Sequence, residues 1–452
     1  MVTSNDITYT KFGLDPIGRV FFCNNRVFRG IYAAYKNETM EFMSSKLFGI
    51  LQEYHYIPRT WIAQDVNIPE YALILEHENC YISPFPDWSF EMYKSATVFT
   101  LRLEELCEKY GYYLKDEHQG NISFLNGRPI MIDFGSFEKG ERPADWGKQF
   151  AEKQYLILSM FSHGETQIVH YLNLMSMSLP LWFPEKSPYQ IKSLRPYYHG
   201  MVKYYDVYLR KKWNFFHLRI YTLWMLNVID VFNSVFRKLG RKAYDWNLFK
   251  IDVKIKKITI EEIEKIKSPF TNTLPCFPIQ KKNIDLEQLI LQMSDDNSIS
   301  RLLLVGNHAF ETVNKIANES NVSQILVMSN DNVYLDMLFK YIQKAGINTF
   351  PVNWCLPHIP LRYNKQISHL AADLVVVSEV QDIWLHPAQM NQTVTLSFPP
   401  SLIAQALAMY CRNLLLIQVI DNEIIEALRK YFIGIKQIKI NEDNYILFRK
   451  IK

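Results

Sequence analysis

The feature that most constrains this chain is the alternation of short apolar runs with helical spacings between Leu302 and Val419. Leu302–Val305, Gln324–Met328 and Asn348–Val352 read as strands, with helices Ala309–Ala317 and Val333–Ala345 between them. Leu374–Val377 and Leu414–Val419 are two further strands, separated by a helix over Pro400–Tyr410. Such alternation predicts a mostly parallel sheet covered by helices on both faces. A β-rich hairpin pattern, Ile438–Ile440 and Tyr445–Phe448, closes the chain.

The first third reads differently. Gly18–Ala33 is β-rich, with Asn24–Asn25 as the turn of a hairpin. Met40, Met43, Leu47, Ile50 and Leu51 predict a helix over Glu38–Tyr54, and Tyr71–Leu75 a strand. Met92, Ala96, Phe99, Leu103 and Leu106 predict a long helix from Ser89 to Tyr110, and Asn126–Gly127 a turn between strands Ile122–Phe124 and Pro129–Ile132. Helical patterns follow over Trp146–Ser162 and through the aromatic region Tyr197–Leu239. A Lys/Ile-rich stretch then breaks into three prolines, which sets the main boundary. The expected parts are 1–160, a helical middle at 161–250, a linker at 251–284 and the α/β part at 285–452.

Composition narrows the function classes. At 48% hydrophobic and 21% charged over 452 residues, a large core is available and wholesale disorder is excluded. A net charge of +4, from 50 basic and 46 acidic groups, is too small to imply a nucleic-acid partner. The six cysteines (Cys23, Cys80, Cys107, Cys276, Cys355, Cys411) form no CxxC pair, so neither a zinc site nor a disulfide framework is expected. Met1–Lys11 lacks a secretory apolar run, and a cytoplasmic location is expected. The apolar run Ile220–Ile229 is far short of the roughly 20 residues of a spanning helix. It is expected to be buried. Its basic flanks, Arg210–Lys212 and Arg237, Arg241 and Lys242, leave docking on the inner membrane surface, or on a partner enzyme, as the alternative.

Two segments carry candidate chemistry. In Tyr113–Phe137, Asp116 precedes Asn121 by five positions, and Asp133-Phe134-Gly135 follows. Phosphoryl transfer needs a carboxylate to orient a hydroxyl, and an amide oxygen with a second carboxylate to hold Mg²⁺. The segment resembles the catalytic loop and DFG segment of the protein-kinase-like fold. The resemblance implies Asp116 as the base-like residue, Asn121 and Asp133 as Mg²⁺ ligands, and Lys115 or His118 as neutralisers of charge. Arg29 stands where that fold carries a lysine, with Glu41 or Glu38 as its expected helix partner, and only Asp15-Pro16-Ile17-Gly18 replaces the glycine-rich loop.

The α/β part resembles a class I S-adenosylmethionine (SAM) methyltransferase domain, a Rossmann-like fold, in its order of elements. That implies a SAM turn at Val305–Glu311, of whose glycines only Gly306 remains, and Asp331 as the nearest match to a ribose-binding acid. Asn353–Pro357 stands after the third strand, and Asp373 before the fourth fits a structural as well as a functional position. His308 and Phe310 would crowd a cofactor.

Taken together, GRVFFCNNRVFRGI, FPDWSFEMYKSATVFTLRL and LKDEHQGNISFLNGRPIMIDFGSF, with the α/β part, resemble a bacterial family of nodulation-type, surface-polysaccharide-associated methyltransferases. The resemblance implies a kinase-like α+β domain, a helical middle and a methyltransferase-like domain acting on glycans or small metabolites. The full DFG and the depleted SAM loop favour, as the leading expectation, an ATP- and Mg²⁺-dependent phosphotransferase acting on a saccharide or small-molecule hydroxyl. Arg29 would then steady the nucleotide. The alternatives are a SAM-dependent methyltransferase using Gly306, Asp331 and Asp373, and a non-catalytic scaffold.

Overall fold

A computed structural model describes residues 7–9, 15–24, 26–80, 88–116, 119–141, 259–268, 279, 282–296, 299–329, 331–353, 370–378, 400–419 and 422–451. Met1–Glu165 and Ile258–Lys452 form one compact unit and Thr166–Lys257 a second, and the described residues all belong to the first. The expected helices over Trp146–Ser162 and Tyr197–Leu239, with the Ile220–Ile229 run, lie outside the described residues, as does His118. No helix among the described residues is long and apolar enough to cross a membrane.

The first part opens on an antiparallel sheet. Strands β1 (Thr8–Tyr9), β2 (Gly18–Cys23) and β3 (Arg26–Ile31) are followed by α1 (Lys36–Met43), α2 (Lys46–Glu53), β4 (Thr60–Ile62) and β5 (Leu73–His77). The strand order is β1-β2-β3-β5-β4. Asn24 takes φ +48°, the left-handed conformation a tight hairpin demands. On one face Phe21 stacks on Phe28 at 5.3 Å and on Tyr71 at 6.0 Å. A Cβ at Gly30 would stand 2.3 Å from the Tyr71 ring, so only glycine lets that ring lie on the sheet. The single helix expected over Glu38–Tyr54 is two. The Ser45 hydroxyl accepts from the Phe48 amide and starts a new helix, while Ser44 turns its hydroxyl onto the Met40 carbonyl. Helix α2 ends with His55 at φ +53° and the Tyr56 amide on the Leu51 carbonyl, a left-handed cap.

Helix α3 (Phe90–Lys109) follows, then β6 (Tyr112–Leu114), β7 (Ile122–Leu125), β8 (Arg128–Met131) and β9 (Phe137–Lys139). The apolar stripe that predicted α3 is its buried face, with Cys107 buried rather than Leu106. The β7–β8 hairpin turns on Asn126 and Gly127, at φ +50° and +72°, the pair of positive angles that an Asn-Gly turn supplies.

The second part begins with α4 (Ile260–Lys265) and α5 (Ile284–Asp296). It continues through β10 (Arg301–Val305), α6 (Phe310–Glu319), β11 (Gln324–Ser329), α7 (Asn332–Ala345), β12 (Thr349–Asn353) and β13 (Ala372–Val377). The chain then forms α8 (Pro400–Tyr410), β14 (Cys411–Gln418), α9 (Asn422–Leu428), β15 (Phe432–Ile440) and β16 (Asp443–Lys450). Its sheet runs β12-β11-β10-β13-β14-β16-β15. The first five neighbours pair in parallel, and β16 enters antiparallel between β14 and β15. This is the expected doubly wound, Rossmann-like sheet, whose order reverses between β10 and β13. Leu302, Leu304, Val327, Val376 and Leu416 lie at the centre of its buried core.

Candidate functional site: two polar clusters

The first cluster lies where β3 meets the segment after β8. Arg29, buried on β3, makes an ion pair with Asp133 at 2.9 Å through one guanidinium nitrogen and pairs with Asp15 through the other. The Asp133 carboxylate is surrounded by donors: Oδ1 also accepts from the Gly135 amide at 3.1 Å and Oδ2 from the Ser136 hydroxyl at 2.7 Å. Asn121 turns its side-chain amide onto the Asp116 carbonyl at 2.8 Å, and the Ser136 hydroxyl, whose one proton serves a single acceptor at a time, lies 3.0 Å from the same carbonyl. The structure thus brings Arg29, Asp133, Asn121 and the Asp116 backbone together. The bonds between them are those of a closed knot.

The remaining residues of that expectation fall elsewhere. Glu41 pairs with Lys139 rather than Arg29, and Lys115 approaches Glu138 at 4.0 Å. His77, beside the knot, has its imidazole pushed down to about 3 by burial and then by the Arg29 charge, so it is neutral at physiological pH. Among the described residues no group of His, Cys, Asp and Glu could hold a metal ion.

The second cluster occupies the carboxyl edge of the parallel strands, at the reversal point where open α/β sheets bind ligands. After β10 the chain turns through Gly306, whose φ of +119° suits glycine, and whose amide bonds the Met328 carbonyl at 3.0 Å. Asn307 and His308 follow, both buried. Asp331 caps α7: its Oδ1 accepts from the Val333 and Tyr334 amides at 3.0 and 3.1 Å. Its Oδ2 accepts from the Asn307 side chain at 3.2 Å, and Ser329 donates to the Asn307 oxygen at 2.7 Å. Asp331, expected from the resemblance to bind ribose, thus has both carboxylate oxygens bonded within the chain. Its carboxylate is fully buried and holds a helix and a turn together.

Other polar groups at this edge are the Asn332–Asn353 amide pair, bonded at 2.7 Å, and Ser378, whose hydroxyl meets the His308 Nε2 at 3.1 Å. Burial pushes the His308 imidazole down to about 4. Asp373 lies at the opposite end of its strand, where it accepts from the Ser300 and Arg301 amides at 3.1 and 2.9 Å, so its structural reading is the one the geometry carries. Asn332 and Ser378 were not foreseen. The signal for Ser378 was a polar residue ending the apolar run Leu374–Val377.

No protein-family model and no curated protein matches the chain. Solved structures do. The N-methyltransferase NodS from Bradyrhizobium japonicum WM9 is 12% identical, with a TM-score of 0.29 over 37% of this chain and 96% of its own. A putative O-methyltransferase from Klebsiella pneumoniae is 12% identical, with a TM-score of 0.26 over 39% of this chain and 84% of its own. A precorrin-6y C5,15-methyltransferase from Geobacter metallireducens GS-15 is 13% identical, with a TM-score of 0.26 over 39% and 95%. Methyltransferase-like Rossmann neighbours thus match part of the chain.

The expectation of an ATP- and Mg²⁺-dependent phosphotransferase in a kinase-like N-terminal domain does not hold. The physical reason lies in the first cluster. Asp133 spends both oxygens on Arg29, Gly135 and Ser136, so the carboxylate expected to hold Mg²⁺ is engaged by donors of the chain itself.

Proposed function

We propose that the α/β part is a SAM-dependent methyltransferase module whose cofactor crevice is the carboxyl edge of β10–β13. The observation that carries this reading is that the Gly306 turn and Ser378 stand at the reversal point of the sheet, with the Asn332–Asn353 pair along the same carboxyl edge, after β11 and β12. The donor set fits the cofactor. Gly306 gives a turn free of a side chain for the amino-acid end, and two neutral amides on neighbouring elements offer donors and acceptors to ribose hydroxyls. His308, neutral at physiological pH, sets no positive charge against a sulfonium ion. When bound, SAM supplies an electrophilic methyl group. The chain's own residues hold and orient it: Gly306 by close backbone approach, Asn332 and Asn353 by hydrogen bonds, Asp331 by fixing the α7 terminus on which Asn332 sits.

The acceptor is proposed as a hydroxyl or amine of a saccharide or small metabolite, on the family resemblance of the N-terminal segments. A thermal-shift comparison with SAM and its demethylated product tests the reading. At about 100 times the dissociation constant either ligand adds about 2.7 kcal/mol to the native state and raises the midpoint. A midpoint indifferent to both at millimolar concentration refutes it. One observation favours a second reading, a non-catalytic partner-binding role: the Asn307–Asp331–Ser329 network fills the turn with buried side chains.

A further inference from the structure

Helix α3 begins without a cap of its own, since Ser89 at its N-cap position makes no side-chain cap bond. The cap comes from another part of the chain. Asp336, in the middle of α7 and 4% exposed, accepts the Glu91 amide on Oδ1 at 3.0 Å and the Ser268 hydroxyl on Oδ2 at 2.9 Å. One carboxyl therefore ties together the first turn of α3, the segment after α4 and the helix that starts at the candidate crevice. The rest of the seam is built around it. Phe339 packs edge-on against Phe124 at 5.4 Å, and Gln343 donates to the Gly127 carbonyl at 3.0 Å.

The charges around this carboxyl leave it without a counter-ion among the described residues. From α3, Glu91 faces it and is itself paired with Lys340 of α7 at 3.0 Å. Lys94 of α3 spends its ammonium on the Glu264 and Ile266 carbonyls, at 2.8 Å each, and Glu264 pairs with Arg102. The groups that face Asp336 are thus the Glu91 amide and the Ser268 and Ser89 hydroxyls, in a setting that burial makes hostile to charge.

We propose that Asp336 is a proton-linked latch between α7 and α3, closed most tightly when its carboxyl carries a proton. When protonated, Oδ2 donates to the Ser268 oxygen in place of accepting from it, while Oδ1 keeps accepting from the Glu91 amide. Burial, followed by smaller opposing hydrogen bonds, pushes this carboxyl up to about 6. The sign follows from that direction. The closed seam binds a proton over a range where an opened seam has released it, so closure weakens as pH rises from the ordinary carboxylate range to about 6, and is level above.

Hydrogen exchange of the full chain reads this at the Glu91 amide, after division by its intrinsic pH dependence. Between pH 5 and 7.5 the corrected rate rises about tenfold, the change expected for a carboxyl shifted by about two units. Asp336→Asn keeps the acceptor for Glu91 and removes the titration, so its corrected rate is flat. Asp336→Ala exchanges fast at every pH. A flat wild-type profile, or the same tenfold rise in Asp336→Asn, overturns the proposal.

Discussion

Asp331 separates a structural role from a ligand-binding one, and its replacement by alanine has a calculable cost. The carboxylate is wholly buried and accepts three donors: two amides of the first turn of α7 and the side chain of Asn307. Loss of an N-cap costs about 1 kcal/mol. Leaving the buried Asn307 donor unmet costs about 1–3 kcal/mol more. Asp331→Ala is therefore expected to lower unfolding stability by about 2–4 kcal/mol, read as a fall in the urea midpoint at unchanged slope. Asp331→Asn keeps the capping oxygen but turns a donor toward Asn307, whose own oxygen is held by Ser329, so it should lose less than the alanine variant. An alanine variant within about 0.5 kcal/mol of wild type, yet deficient in cofactor binding, would refute the capping account and restore Asp331 to the ligand.

Three further outcomes follow from the packing and charge of other residues. Gly30→Ala sets a methyl group 2.3 Å from the Tyr71 ring and should cost about 1–3 kcal/mol by overpacking, and an unchanged urea midpoint would contradict the stacking described. Arg29→Ala leaves Asp133 and Asp15 without their cation and should cost about 3 kcal/mol, with Arg29→Lys recovering only part, both read by urea denaturation. His308, neutral in the fold down to about pH 4, binds fewer protons folded than unfolded, so stability falls as pH drops from about 6.5 toward 4. At pH 5 the loss is about 2 kcal/mol relative to pH 8, and His308→Gln should remove that part of the pH dependence.

Much of the α/β part was legible because each strand is an apolar run and each helix an amphipathic one. Strands β10 to β13 fall within two residues of their expected spans, and so does α8. The Asn126–Gly127 hairpin was legible for a different reason, since two consecutive positive φ angles demand that pair. Helix α5 was missed because it follows a proline-rich stretch that read as linker, and the break at Ser44–Ser45 because the apolar spacing continues across it. In the candidate sites, proximity was legible and chemistry was not. Asp116, Asn121 and Asp133 do converge with Arg29, but spacing alone does not say whether a carboxylate's oxygens point to a ligand or to neighbouring donors. Asp331 is ambiguous in the sequence for the same reason: an acid after a strand is equally the N-cap of the next helix. Asp336 escaped notice as one polar residue in an apolar helix, although a buried acid among Tyr334, Leu335, Leu338 and Phe339 was the signal.

The central claim is that the carboxyl edge of β10–β13 holds SAM. Calorimetric titration of SAM into the full chain at pH 7.5, for wild type and Asn353→Ala, tests it most directly. The account predicts saturable binding of one SAM per chain, weakened at least about tenfold when the Asn332–Asn353 pair is broken. No heat at millimolar SAM in the wild-type protein, or equal affinity in the variant, would contradict it.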